Sequence, residues 1–126
     1  LLSLNWSIAF FELGQLEKAK IYTIDTAFQN IYLHDLLLDR EIKRIDMYEQ
    51  GYDMFEHSQA VVKYCKKVST KSYLDWLLKF MNSDEYKKPV NKFVEISKLI
   101  KYEYNNNKRD LLLNHITYLV NMNKNN

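Results

Sequence analysis

The residues that let a chain turn sharply are nearly missing from this sequence. Two glycines, Gly14 and Gly51, and one proline, Pro89, are spread over 126 positions. A strand-rich fold needs a turn roughly every 8–12 residues, and glycine and proline supply many of them. Long helices joined by few turns are what remains. Leu, Lys, Glu and Ile are plentiful, so the expected fold class is all-α.

Both glycines sit in the same setting. In FFELGQLEKAK (10–20) and MYEQGYDMFEH (47–57), each follows an aromatic-Glu-x triplet: Phe11-Glu12-Leu13 and Tyr48-Glu49-Gln50. They lie 37 residues apart. The reading is that each ends the first helix of a helical pair, where the chain needs the positive φ that glycine adopts without steric cost.

Apolar spacing along the chain agrees with that division. Leu2, Trp6, Ala9, Phe10 and Leu13 recur at steps of three and four before Gly14, and Leu16, Ala19, Thr23, Ala27 and Ile31 do so after it. Leu37, Leu38, Ile42, Ile45 and Tyr48 precede Gly51; Met54, Val61, Val62, Cys65 and Val68 follow it. A third pair is predicted from Tyr73, Leu74, Leu77, Leu78 and Met81, capped by Ser69 or Thr70, and from Val90, Phe93, Ile96 and Ile100, with Pro89 in the first turn. Its corner is Asn82-Ser83, about 32 residues past Gly51. After the run Asn105-Asn106-Asn107, a last helix capped by Asn107 would dock through Leu111, Leu112, His115, Ile116 and Leu119.

Helix–turn–helix units with a period in the thirties belong to α-solenoids. The expected architecture is a right-handed α-α superhelix of about three helical hairpins plus a C-terminal capping helix. Residues 1–122 form one domain, and 123–126 fray. LLSLNWS at the start has neither an initiator Met nor a leader pattern, so the domain is read as the C-terminal part of a longer protein.

The first hairpin resembles the tetratricopeptide repeat family. Trp6, Ser7, Phe10, Gly14, Leu16 and Ala19 stand where that pattern has a large apolar residue, a small one, an aromatic, a glycine, a large apolar residue and an alanine. The second unit departs from it, with Arg44 in the small-residue position and Glu56 in the alanine position, and the closing proline is missing. SYLDWLLKF and KRDLLLNHITYL are also similar to the C-terminal portion of tetratricopeptide-like proteins of Bacteroidota. The resemblance implies a scaffold that binds proteins or peptides and no chemistry of its own.

Charge is small in total and uneven in placement. Residues 1–59 carry 5 Lys+Arg against 10 Asp+Glu, a net −5, and residues 60–126 carry 13 against 6, a net +7. Such a dipole favours self-association of the acidic N-terminal half with the basic C-terminal half, or is a solvated surface. A single cysteine, Cys65, rules out an internal disulfide and points to the cytoplasm. No apolar run reaches the roughly 18 residues of a membrane span, so membrane insertion is not expected.

Catalytic and metal sites need several groups brought together, and His34, His57 and His115 stand singly, with no second Cys and no glycine-rich phosphate loop. No enzyme activity, cofactor or metal is therefore expected. His34 reads as a helix-entry residue, His115 as a buried structural histidine and Cys65 as a small core residue. Asp35 and Asp39, four apart, read as surface. Lys63, Lys66, Lys67 and Lys71 with Tyr64 and Tyr73 form the one basic, aromatic run, broken at Ser69-Thr70, and nucleic acid is not the favoured partner.

The function expected is a non-catalytic helical scaffold that binds a protein or peptide in the groove lined by the first helices of the hairpins. Asn5, Glu12, Arg40, Arg44, Asp75 and Lys79 are the residues placed there by helix position. The alternative is a ligand- or peptide-sensing regulatory domain of a larger transcription regulator or signalling protein.

Overall fold

Gly14 does end the first helix. In the computed structural model, which describes residues 2–50 and 53–125, α1 (Leu2–Glu12) stops at Gly14 with φ +75°. The Gln15 amide donates to the Phe10 carbonyl at 2.8 Å and the Gly14 amide to Phe11 at 3.0 Å, the paired bonds that close a helix through a left-handed residue. α2 (Leu16–Gln29) then runs back along α1.

Among the described residues five further helices follow: α3 (Leu33–Leu37), α4 (Met54–Val68), α5 (Lys71–Met81), α6 (Asp84–Tyr102) and α7 (Asn106–Lys124). The chain is all-helical, with no strand among the described residues. α5 and α6 turn at Asn82-Ser83 as expected, and the capping hydroxyls are in place. Thr70 accepts from the Tyr73 amide at 3.1 Å and Ser83 from the Tyr86 amide at 3.4 Å.

The α1–α2 hairpin closes on small side chains. Ser3 and Ser7 of α1 and Ala19 and Thr23 of α2 are all buried. Thr23 donates to the Ala19 carbonyl at 2.8 Å, Ser7 Oγ lies 2.6 Å from Thr23 Oγ1, and the Tyr73 hydroxyl of α5 lies 2.7 Å from Ser7 Oγ. Since Thr23 spends its one proton on the carbonyl, the chain of donors runs Tyr73 to Ser7 to Thr23. Burial holds the Tyr73 phenol above its usual titration range, so the donor stays protonated.

Around this node the apolar faces of α1, α2, α5 and α6 form one core with Leu4, Ile8, Phe28, Leu77, Phe93 and Ile100. Cys65 joins it from α4, fully buried, with its thiol pKa raised by that burial. α2 packs on α6 and α7, and α1 meets α5, so the first hairpin lies against the third rather than only against its neighbour in sequence.

The second hairpin departs most from expectation. Its first arm is not a helix: after Leu37 the chain runs irregularly through Gln50. α3 is ended by Asp39 at φ +57°, where the Arg40 amide donates to Asp35 at 2.8 Å and the Asp39 amide to Leu36 at 3.1 Å. This repeats the bond pattern at Gly14 with an aspartate in the left-handed position, which Asp tolerates better than most residues. Beyond it the backbone amides find partners remote in sequence, Ile45 on the Tyr32 hydroxyl (2.8 Å) and Tyr48 on the Ser97 carbonyl of α6 (2.9 Å). Ile42, Ile45 and Met47 then cover a second small core on Tyr32 and Met54. The corner assigned to Gly51 lies outside the described residues.

Three smaller corrections concern helix ends. α6 begins at Asp84, so Pro89 stands inside it rather than in its first turn. Asn105, not Asn107, caps α7, accepting from the Lys108 amide at 3.0 Å. α7 continues to Lys124, past the fraying expected from 123, because the buried Asn123 amide donates to the Ile21 carbonyl at 2.9 Å.

Ser7→Ala should cost about 1–3 kcal/mol, because it removes the hydroxyl that joins Tyr73 to Thr23 and leaves Tyr73 only the lesser of its two buried partners. Tyr73→Phe should cost less, about 1 kcal/mol, since Ser7 keeps Thr23. Urea unfolding of both variants checks the order.

Candidate functional site

The six residues assigned to a groove by helix position lie on α1, on α5 and in the irregular segment after α3. Among the described residues no hydrogen bond or ion pair links any two of them. Asn5 is exposed on α1, and Asp75 and Lys79 are exposed on α5. Glu12 accepts from the Thr70 hydroxyl at 2.9 Å, which ties the end of α1 to the start of α5. Arg40 pairs with Asp35 at 3.1 Å.

Arg44 has the most partners of the six, and they make its role structural. Its guanidinium reaches Glu56 at 2.9 Å, Glu49 at 3.3 Å and Asp53, and lies over the Phe55 ring. Asp53 caps α4 and Glu49 accepts from the Met54 amide at 2.6 Å. Hydrogen bonding by Glu56 and Arg44 holds the Asp53 carboxyl below its usual pKa. Nearby, Asp46 is bonded by Lys101 and the Tyr102 hydroxyl, which lowers its pKa as well. These cations are spent on carboxylates, so the patch is a clasp on the irregular segment. Lys66 of the basic run is likewise paired, with Asp39.

An open site lies elsewhere, between α2, α6 and α7. A cleft of about 530 Å³ is floored by Ile21, Ile24, Pro89, Leu119 and Met122 and rimmed by Glu17, Lys20, Asp84, Glu85 and Lys88. The helices give it this character directly. Ile21 and Ile24 lie on the α2 flank that α6 and α7 approach, and Asn123 pins α7 beside them through the Ile21 carbonyl. Pro89 has no amide proton, so the Glu85 carbonyl one turn earlier lacks its helical donor at the cleft's edge. Lys20 binds both Glu17 (3.1 Å) and Glu85 (3.4 Å) across the rim, and the first of these raises its pKa most.

Next to Ile21 on α2, Tyr22 begins an aromatic ledge. Its ring stacks on Phe10 (5.5 Å) and tilts against Trp6 (6.3 Å), Phe10 stacks on Trp6 (5.6 Å), and Lys18 lies over Phe10. Trp6 remains 46% exposed, more than packing within the hairpin requires. The apolar stripe of α1 assigned to packing thus faces outward, while Ser3, Leu4, Ser7 and Ile8 face in. The sequence hides this because α1 is apolar on both sides. The inward serines look like a polar face until Thr23 and Tyr73 are set beside them.

His115, assigned to the core, is exposed on α7. His34 stands in the first turn of α3, the helix entry expected for it, and is also fully interior. His34 Nδ1 lies 3.2 Å from the Tyr86 hydroxyl, and its Nε2 has no partner. Burial lowers its pKa from 6.5 to about 4, and burial also raises that of Tyr86.

No helix among the described residues is long and apolar enough to cross a membrane, and no group of three or more metal-ligating side chains is found among them. Comparison with family models, with curated proteins and with solved structures finds no match to this chain.

His34 makes stability depend on pH in one direction. The unfolded chain takes up this proton below about pH 6.5 and the folded chain only near pH 4, so acid favours unfolding across that window. Up to about 3 kcal/mol is lost between pH 6.5 and pH 4, and the loss levels off below it. Urea titrations at pH 7, 5.5 and 4 of wild type and His34→Leu check this, since the variant should lack that part of the slope.

Proposed function

We propose that the protein is a non-catalytic helical-repeat scaffold that holds a protein or peptide partner, and that the partner's contact is an amphipathic helix seated in the α2–α6–α7 cleft. The observation that carries the reading is an apolar floor left open to solvent with charges of both signs around it. A site of this shape accepts apolar anchors at helical spacing, while rim charges set orientation more than affinity. Asp84 would meet basic residues on the partner and Lys88 acidic ones, while Lys20 is held by Glu17 and Glu85.

The likeness of the first hairpin to a tetratricopeptide repeat supports a binding role, and with it a superhelical stacking of hairpins. The single, buried Cys65 is compatible with a reducing, cytoplasmic setting.

The test is selection of amphipathic helical peptides on the immobilised protein, followed by fluorescence anisotropy. Ile21→Glu and Leu119→Glu should each weaken the selected peptides by at least about tenfold, the scale of losing one apolar anchor, with the helical circular dichroism unchanged. Peptides indifferent to both substitutions would place binding outside the cleft and remove the proposal.

A further inference from the structure

The outward faces of the first and last helices carry the same pattern. On α1, Leu2, Trp6, Ala9 and Leu13 follow one another at steps of four, three and four; on α7, Leu111, His115, Tyr118 and Met122 do the same. All eight are exposed: Leu2, Leu13 and Leu111 at 70%, Tyr118 at 59%, Met122 at 47% and Trp6 at 46%, with Ala9 and His115 also outside the core. Each stripe covers about 16 Å along its helix. Steps of four and three are those of a helix-to-helix seam; the α1 stripe lies opposite the buried Ser3, Leu4, Ser7 and Ile8, and the α7 stripe about a third of a turn from the buried Ile116 and Asn123.

In a stack of helical pairs the outermost helices need a polar outer face to stay soluble. Neither α1 nor α7 has one. From the matched seams we infer that these two faces are the two halves of one joint, and that the occupant of each is a second copy of this chain, stacked head to tail with α1 of one molecule on α7 of the next.

Fit and charge both favour this occupant. Set antiparallel, the two stripes place Trp6 against Tyr118, Leu13 against Leu111, and the small Ala9 against the imidazole of His115, while Glu12 and Lys108 arrive at the same end. The two helices differ in sign: α1 carries Glu12 alone, whereas α7 carries Lys108, Arg109 and Lys124 against Asp110, so unlike faces attract in a head-to-tail order and two α7 faces repel. A joint between two different faces does not close on itself unless the rotation returns to its start, so assembly grows with concentration. This surface is separate from the cleft proposed for a partner: of the eight residues only Met122 also lines it.

The experiment uses two substitutions at exposed positions, Ala9→Glu and Tyr118→Glu, with Leu13→Glu and Leu111→Glu as a second pair, and reads molar mass by sedimentation velocity. Wild type should rise above the single-chain mass as concentration increases, less so at high salt. Each variant alone should stay at the single-chain mass, because one half of every joint is blocked. An equimolar mixture of an α1 variant with an α7 variant should form a dimer of twice that mass, since one intact α1 face and one intact α7 face remain. Wild type that stays monomeric to millimolar concentration overturns the inference, and so does either variant dimerising alone, which would mean a like-with-like joint.

Discussion

A single hydroxyl holds the arrangement of the helices. Ser7 accepts from Tyr73 and donates to Thr23, so α1, α2 and α5 are joined at one buried point by bonds of 2.6 and 2.7 Å. The small side chains around it, Ser3, Ala19 and Thr23, let α1 and α2 approach closely, and a tyrosine from a different hairpin fills the gap. Buried hydroxyls cost stability unless every one is paired, which makes the node selective for one packing. A one-residue rotation of α1 would carry Ser7 away from the node and strand the donors of Ser7 and Tyr73, while Thr23 keeps the Ala19 carbonyl. The outward placement of Trp6, Leu2 and Leu13 is the other side of that constraint.

What could be read from the sequence followed from local backbone chemistry. Gly14, Thr70 and the Asn82-Ser83 corner act through their own immediate bonds, and each stands where expected. The helix lost after Leu37 shows the limit of that reading. Ile42 and Ile45 have helical spacing, yet their backbone is held by Tyr32 and Ser97 from elsewhere, and the stop signal is an aspartate with the bonding pattern of a glycine. Nothing local distinguishes Asp39 from the other aspartates nearby. The candidate site was less legible still. Arg44 seemed available because its three carboxylate partners lie five to twelve residues away in sequence, and the cleft draws its floor from helices up to a hundred residues apart.

The charged surface divides by role. Arg44, Lys66 and Lys101 clasp the irregular segment to α4 and α6 by pairing with Asp53, Asp39 and Asp46. Exposed pairs of this kind contribute little singly, but here several act on one stretch that has no helical hydrogen bonds of its own. Lys20 and Lys88 instead rim open apolar ground.

Cys65 carries a consequence of another sort. It is the only thiol in the chain and is shut completely inside, on the face of α4 that meets the core. A thiol reagent can reach it only when α4 lifts away, so the rate of alkylation is a clock for that one opening event, legible without any probe being introduced. Where labelling keeps pace with global unfolding, α4 belongs to the same cooperative unit as the Ser7 node; where it runs ahead, the helix is a separately detaching flap.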